Sequence, residues 1–516
     1  MQWFFAALTR LTDRAAHDDP AKPGHWLSRF VLLRLLGLIY LMAFATLVNQ
    51  GPALIGEKGL LPAVDFLDGV ARQLGSRAAG FAELPSLFWL SARDLVLRGA
   101  GWVGVALSLL VLGGYANALI LIVLCALQIS IINVGQTFYG FGWELQLVET
   151  GFLCIFLCPL FDGRPFPRRA PAIVVIWLLR WLAVRIMWGA GLIKLRGDSC
   201  WRDLTCLDFH FETQPIPNPL SPFFHALPGG VHKVGVVFNH LVELGAPFFV
   251  FGTRRMRIAA GAAMVSLQVI LIASGNLSFL NWLTLVPILA CFDDGVWRRL
   301  FPARLVARSD AARAVATPSR VHGLTAAALG VAIVALSIPP MLNMLSGAQI
   351  MNTSFTRLPL VNTYGAFGSV GREREQLVFE GTRDETIAPQ TQWLPYEFKC
   401  QPGDPARRPC WMSPYHYRLD WLLWFAAMGS PRDYPWAVHL VSKLLDADPA
   451  TLGLLRVDPF QGAPPRHIRV DLYRYSFAPR GSKIWWERTK LGPWLPPLER
   501  DNQELRDFLH NEGWSP

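Results

Sequence analysis

The sequence predicts a polytopic α-helical membrane protein of about nine transmembrane helices, followed by a C-terminal extracytoplasmic α+β domain. Three observations carry that reading. Hydrophobic residues make up 52% of the 516-residue chain and charged residues only 17%, with a mean hydropathy of +0.30; soluble domains usually carry about 25% charged residues. Apolar runs of about 18 to 20 residues, long enough to cross a bilayer core, recur from Arg29 onward. The runs stop near Leu342, and the roughly 170 residues beyond are enough for one domain with its own core.

Taken in order, the spans fall at about 29–48, 98–114, 117–134, 144–161, 171–194, 233–252, 258–275, 277–293 and 323–342. The first is too long for a signal-peptide core and lacks a small-residue cleavage site, so it reads as a span. Arginines gather in short connections: Arg164, Arg168 and Arg169; Arg254, Arg255 and Arg257; then Arg298, Arg299, Arg304, Arg308, Arg313 and Arg320. With Met1 cytoplasmic all three clusters lie inside, and the reverse orientation would put all of them outside, against the positive-inside rule. The loops 49–97 and 195–232 and everything after Leu342 are then extracytoplasmic. Three regions follow: a cytoplasmic segment 1–28, a transmembrane domain 29–342 and an extracytoplasmic domain 343–516. These connections account for the net charge of +10. With no reading helix or basic-aromatic sheet, nucleic acid is excluded as a partner.

In the tail, "SPYHYRLDWLLWFAAMG" and "PWAVHLVSKLLDAD" space their apolar residues as helices do. "HIRVDLYRYSFA" begins with the period-two alternation of a strand, and "REQLVFEG" is a second strand candidate.

The eight cysteines divide by environment. Cys125, Cys154, Cys158 and Cys291 lie in apolar spans, where a thiol behaves as a small hydrophobe. Cys200 and Cys206 share one extracytoplasmic loop, and Cys400 and Cys410 share the tail, where disulfides persist. Two local disulfides are expected, Cys200–Cys206 and Cys400–Cys410, each worth roughly 2 to 3 kcal/mol on the loop-entropy model.

The first of these bridges opens the stretch "CWRDLTCLDFHFETQPIPNP". Asp208, His210 and Glu212 alternate there, so an extended backbone would present them on one face. That face reads either as a metal site or, preferably, as a polar network holding the loop at the membrane surface; no metal is assigned. Within the spans lie Arg34, Glu149, Arg180, Arg185, Lys194 and Glu243, each of which must snorkel or find a partner. Arg34 can snorkel. Arg185 sits about 13 Å and Glu243 about 15 Å below the outer ends of their spans, with Glu149 shallower. Arg185 is therefore expected to pair with Glu149 or Glu243.

Several motif matches fail on context. "GAGWVG" fits G-x-G-x-x-G but opens an apolar span, with no preceding strand; its small residues suit close helix approach. "GPALIGEK" has Glu57 where a phosphate-binding loop needs lysine. Neither G-x-S-x-G nor H-E-x-x-H occurs.

Five stretches, "FGWELQLVETGFLCIFLCP", "GLIKLRGDSCWRDLTCLDFHFETQPIPNPLS", "NTYGAFGSVGREREQLVFEGTRDE", "YEFKCQPGDPARRPC" and "SPYHYRLDWLLWFAAMG", together resemble the lipase maturation factor family. The similarity extends from about residue 29 to residue 495. The resemblance implies a multi-pass membrane protein that helps secreted lipases reach an active fold; animal members of the family act in the endoplasmic reticulum. It places Trp201, Cys206, His210, Glu212, Pro215 and Pro217 of the loop, and Tyr415, Arg418, Asp420 and Trp421 of the tail, in the family's characteristic motifs. The arginine- and alanine-rich composition reads as bacterial, which makes the compartment an inner membrane with a periplasmic tail, and the client a secreted lipase or other secreted protein. No cofactor is expected.

A fainter resemblance gives the alternative. "WGAGLIKLRGDSCW" is similar to a segment in the membrane domain of vitamin K-dependent gamma-carboxylase and its bacterial relatives, where a lysine starts catalysis as a base. That would make Lys194, with His210 nearby, the catalytic residues of a membrane enzyme, provided burial lowered the lysine pKa. Lys194 could equally anchor its helix at the interface.

Overall fold

The computed structural model describes residues 24–514, so most of the segment 1–28 lies outside the described residues. Among the described residues five helices are long and apolar enough to cross a membrane: Trp26–Ile55, Asp94–Gly113, Ile173–Arg196, Arg254–Ser274 and Arg320–Leu345. The other four expected spans are helical too, but short or broken. Ala118–Val134 and Leu280–Leu289 are shorter apolar helices. Gly142–Ile155 has 14 residues, a rise of about 21 Å, less than a hydrocarbon core of about 30 Å; Pro159 stands just beyond it. Gly229–His240 passes into a π-turn at Leu241–Gly245 and a 3-10 turn at Ala246–Phe249, where Pro247 withholds its amide.

Small residues set the closest helix contact. A Cβ on Gly104 would collide with the Phe44 ring and one on Gly101 would lie 2.7 Å from Val48. The "GAGWVG" glycines thus pack the Asp94–Gly113 helix against Trp26–Ile55, the role small residues take in membrane bundles.

Hydrogen bonds gather the connections at two opposite ends of the bundle. At one end, Asp294 accepts from the amides of Trp26 and Leu27, orphan donors of a helix N-terminus. There too Arg34 donates to the Gly114 carbonyl, the Thr317 amide to the Arg168 carbonyl, and Arg254 and Arg257 bind Asp293. At the other end, the Glu57 amide donates to Asp94, Asn133 to the Pro85 carbonyl, Asn276 to the Cys410 carbonyl, and Arg196 to the Met344 carbonyl. The arginine-rich connections belong to the first end; the loop 200–219 and the C-terminal region belong to the second.

The C-terminal region is α+β. Strands β1 (Arg374–Thr382), β2 (Leu394–Pro395), β3 (Glu397–Phe398), β4 (Leu455–Val457), β5 (His467–Phe477) and β6 (Trp486–Glu499) form an antiparallel sheet in the order β2-β1-β5-β6 and a two-stranded β3-β4 ribbon. Val378 faces Asp471 and Gly381 faces Ile468 across β1 and β5. Leu419, Leu423 and Ala426 of the Arg418–Ala426 helix and Leu440, Val441 and Leu444 of the Pro435–Leu445 helix are buried with Phe379, Ile468 and Val470 of the sheet. This core is continuous with that of the helical bundle.

Candidate functional site

The loop 200–219 and the C-terminal region meet in a polar junction. Asp198 caps the short Ser199–Arg202 helix by accepting from the Cys200 amide at 3.0 Å. Cys200 and Cys206 turn the chain back with their Sγ atoms at disulfide distance and Cα atoms 4.8 Å apart; Cys400 and Cys410 lie likewise, with Cα atoms 5.4 Å apart. Both separations fall in the range of about 4.4–6.8 Å seen for bridged pairs. Leu204 takes the left-handed conformation, φ +61°, within this return. Trp201 donates its indole N–H to the Phe367 carbonyl at 2.8 Å.

The expected extended face of Asp208, His210 and Glu212 is corrected, because Leu207–Thr213 is a helix. Phe211 packs on Phe224 and His232, so burial of one helical stripe outweighs the two-residue alternation. The three side chains diverge. Asp208 meets His232 Nδ1 at 2.7 Å, and Glu212 accepts from the Phe477 amide at 2.7 Å. His210 is buried edge-on against Phe367, with ring centroids 4.8 Å apart. Burial, reinforced by the charge of Lys194, pushes its pKa down to about 4. Among the described residues no group of His, Cys, Asp and Glu is disposed to hold a metal.

The proline stretch is held through its carbonyls. Arg374, the first residue of β1 and fully buried, donates to the carbonyls of Glu212 at 3.1 Å, Gln214 at 2.5 Å and Pro215 at 2.8 Å. Asn276 donates to the Pro217 carbonyl at 3.5 Å and to the Cys410 carbonyl at 2.9 Å, and its own carbonyl receives the Met412 and Ser413 amides. Trp424 donates to the Thr213 carbonyl at 3.0 Å.

The tail motif forms the second half of the junction. Tyr415 Oη lies 3.1 and 3.2 Å from the side-chain amides of Asn49 and Gln50. Arg418 donates to Glu144 at 2.7 Å and to the Phe138 carbonyl at 2.8 Å, with its guanidinium 3.6 Å from the Tyr139 ring centroid. Glu144 also accepts from Gln128 at 2.6 Å. Trp421 lies edge-on to Trp143 at 5.1 Å. Asp420 accepts from the Cys400 amide at 2.5 Å and the Gln401 amide at 3.0 Å, fixing the cysteine loop; burial pushes its pKa up to about 6.

Two buried ion pairs lie deeper. Arg185 meets Glu149, which also accepts from Tyr364 Oη at 2.6 Å and from the Asn362 amide at 3.0 Å; Arg185 donates in turn to the Asn362 carbonyl at 2.8 Å. Glu243, the other partner considered for Arg185, pairs instead with Lys194 at 2.5 Å, inside the π-turn, and Asn239 joins both. The Lys194 ammonium also lies 5.1 Å from the Trp201 ring centroid. Lys194 is thus shared among a carboxylate, an amide and a ring face, and nothing in this arrangement favours the base role. Nothing local marks Arg374, Asn276 and Asn362 in the sequence: the partners named above lie 59 to 213 residues away.

Family models describe two parts of this chain: a lipase maturation factor transmembrane domain matches residues 27–299 and a lipase maturation factor C-terminal domain matches residues 360–496. Lipase maturation factor 1 of Bos taurus is 48% identical over 95% of this chain and 91% of its own length; the Homo sapiens protein of that name is 46% identical over 95% and 90%. Lipase maturation factor 2 of Homo sapiens is 28% identical over 95% and 85%. No solved structure matches.

Proposed function

Because the chain belongs to the lipase maturation factor family and is an integral membrane protein, we propose that it assists the maturation of secreted lipases, with its C-terminal domain on the extracytoplasmic face. The observation that carries this reading is the near-full-length identity, 46–48% over 95% of the chain, which spans the bundle, the junction and the C-terminal domain alike.

We infer nine crossings, counting the four short or broken helices with the five long ones, and this sidedness follows from that count. The N-terminal end of the Trp26–Ile55 helix and the arginine clusters share one end of the bundle, while both cysteine pairs share the other. Arginines retained inside and disulfides formed outside agree on the same orientation. In a bacterial cell this is the inner membrane with a periplasmic C-terminal domain.

The junction makes the loop 200–219 a brace. Its bridge and its clamped carbonyls fix the C-terminal domain to the bundle, so exposed groups there, such as Trp411, Met428, Leu394 and Val457, are offered to a client from a rigid support. Deleting the gene and measuring the specific activity of each secreted hydrolase tests this. At least one lipase is expected to be secreted with reduced specific activity; unchanged specific activity across all of them overturns the proposal.

A further inference from the structure

We infer that the tip of the β5–β6 hairpin docks on the anionic phospholipid headgroups of the bilayer that holds the bundle. The tip, residues 478–485, closes over the short Ser221–His225 helix: Phe477 lies 5.5 Å from the His225 ring, and the Arg480 guanidinium lies 5.5 Å from the Phe223 ring centroid. That short helix leads through Pro228 into Gly229–His240, whose Val231, Val234 and Val237 are exposed. In a membrane protein such a face is turned to lipid. Leu220 and Phe223, the latter 54% exposed, carry the same apolar surface up to the hairpin, where Ile484 is exposed in its turn.

Cations surround this surface. Lys233, Arg480 and Lys483 are exposed, and none of them forms an ion pair with a described carboxylate. Two acids of the adjoining loop have other partners, Asp208 with His232 and Glu212 with the Phe477 amide and His225. Apolar groups continuous with the lipid-facing helix, rimmed by unpaired lysine and arginine, are the complement of a phosphate-bearing interface, where each cation attracts anionic lipid. An acidic protein partner would match the charges but not their continuity with a lipid-facing helix.

The test uses the full chain in nanodiscs of phosphatidylcholine, with and without phosphatidylglycerol, carrying p-benzoylphenylalanine at one position. Placed at 484, the photoprobe is expected to form phospholipid adducts, several-fold more with phosphatidylglycerol present; at Ile387, exposed on the loop after β1, it is expected to form none. Arg480→Gln with Lys483→Gln should lower the adduct yield at 484 several-fold, toward the level seen in phosphatidylcholine alone. The probe at Phe223 serves as the membrane-surface control, and a monodisperse elution shows that each variant folds. Lipid adducts at 223 but none at 484, adducts to protein in place of lipid at 484, or equal yields in the two lipid compositions would each overturn the inference.

Discussion

Replacing Arg418 with methionine removes the cation from the junction while keeping much of its volume. Arg418 and Glu144 are 0% and 1% exposed, so no water can take over the lost contact. Glu144 would keep only the bond from Gln128, and a buried carboxylate stripped of its partner costs about 3–5 kcal/mol. Opening of the junction should therefore become roughly 10²- to 10⁴-fold more frequent. Hydrogen exchange of peptides covering 136–144 and 412–426 reads that population directly. The exposed pair Arg474–Glu373, with side chains 48% and 53% exposed, is the control; Arg474→Met should cost at most about 1 kcal/mol. Arg418→Met combined with Glu144→Gln should recover most of the loss, because no buried charge then stands alone. Equal exchange in Arg418→Met and Arg474→Met, or strictly additive effects in the double variant, would refute the argument.

Exchanging Arg185 and Glu149 tests the deeper pair: Arg185→Glu and Glu149→Arg should each lower the yield of monodisperse protein. The exchange should restore it only in part, since the Tyr364 hydroxyl and Asn362 amide would then face a cation; no restoration at all would sink the coupling. His210 has a folded pKa near 4 against 6.5 in the open chain, so the unfolded state takes up the proton first as pH falls. Stability from this group is complete above pH 6.5 and declines toward pH 4, by at most about 3 kcal/mol, and His210→Phe should flatten that part of the melting-temperature profile. Asp420 acts with the opposite sign: its raised pKa, about 6, favours the folded state as pH falls from 6 toward 4. Asp420→Asn keeps an acceptor for Cys400 and Gln401 and should stabilise the protein at pH 7 by about 1–3 kcal/mol, an advantage that vanishes by pH 4; destabilisation equal to that of Asp420→Ala at pH 7 would contradict this.

Hydropathy located the five long apolar helices of the described residues because a spanning segment writes its burial into consecutive residues. It could not give their lengths. Gly142–Ile155 ends before the expected residue 161, with Pro159 just beyond it, and the 233–252 region breaks where Glu243 sits in a π-turn against Lys194 and Pro247 follows. Depth alone left Arg185 with two candidate partners, since depth carries no azimuth. Lys194 follows Arg185 by nine residues, about half a turn away around the helix axis, so the two cations face different neighbours. The alternation of Asp208, His210 and Glu212 misled for a related reason: seven residues satisfy both periods, and only the rings of Phe224 and His232 decide between them. The closeness of Cys200 to Cys206 and of Cys400 to Cys410 was legible from their short separation in sequence. The Arg374 and Asn276 clamps were not, because a side chain that binds main-chain carbonyls leaves no complementary residue type to find.

Orientation is tested most directly by labelling intact bacterial spheroplasts with a membrane-impermeant maleimide, using Ile387→Cys in the C-terminal domain and Leu300→Cys in the arginine-rich connection, both exposed positions. The account predicts rapid labelling at 387 and labelling at 300 only after lysis. Labelling at 300 in intact cells, with 387 protected until lysis, would contradict it.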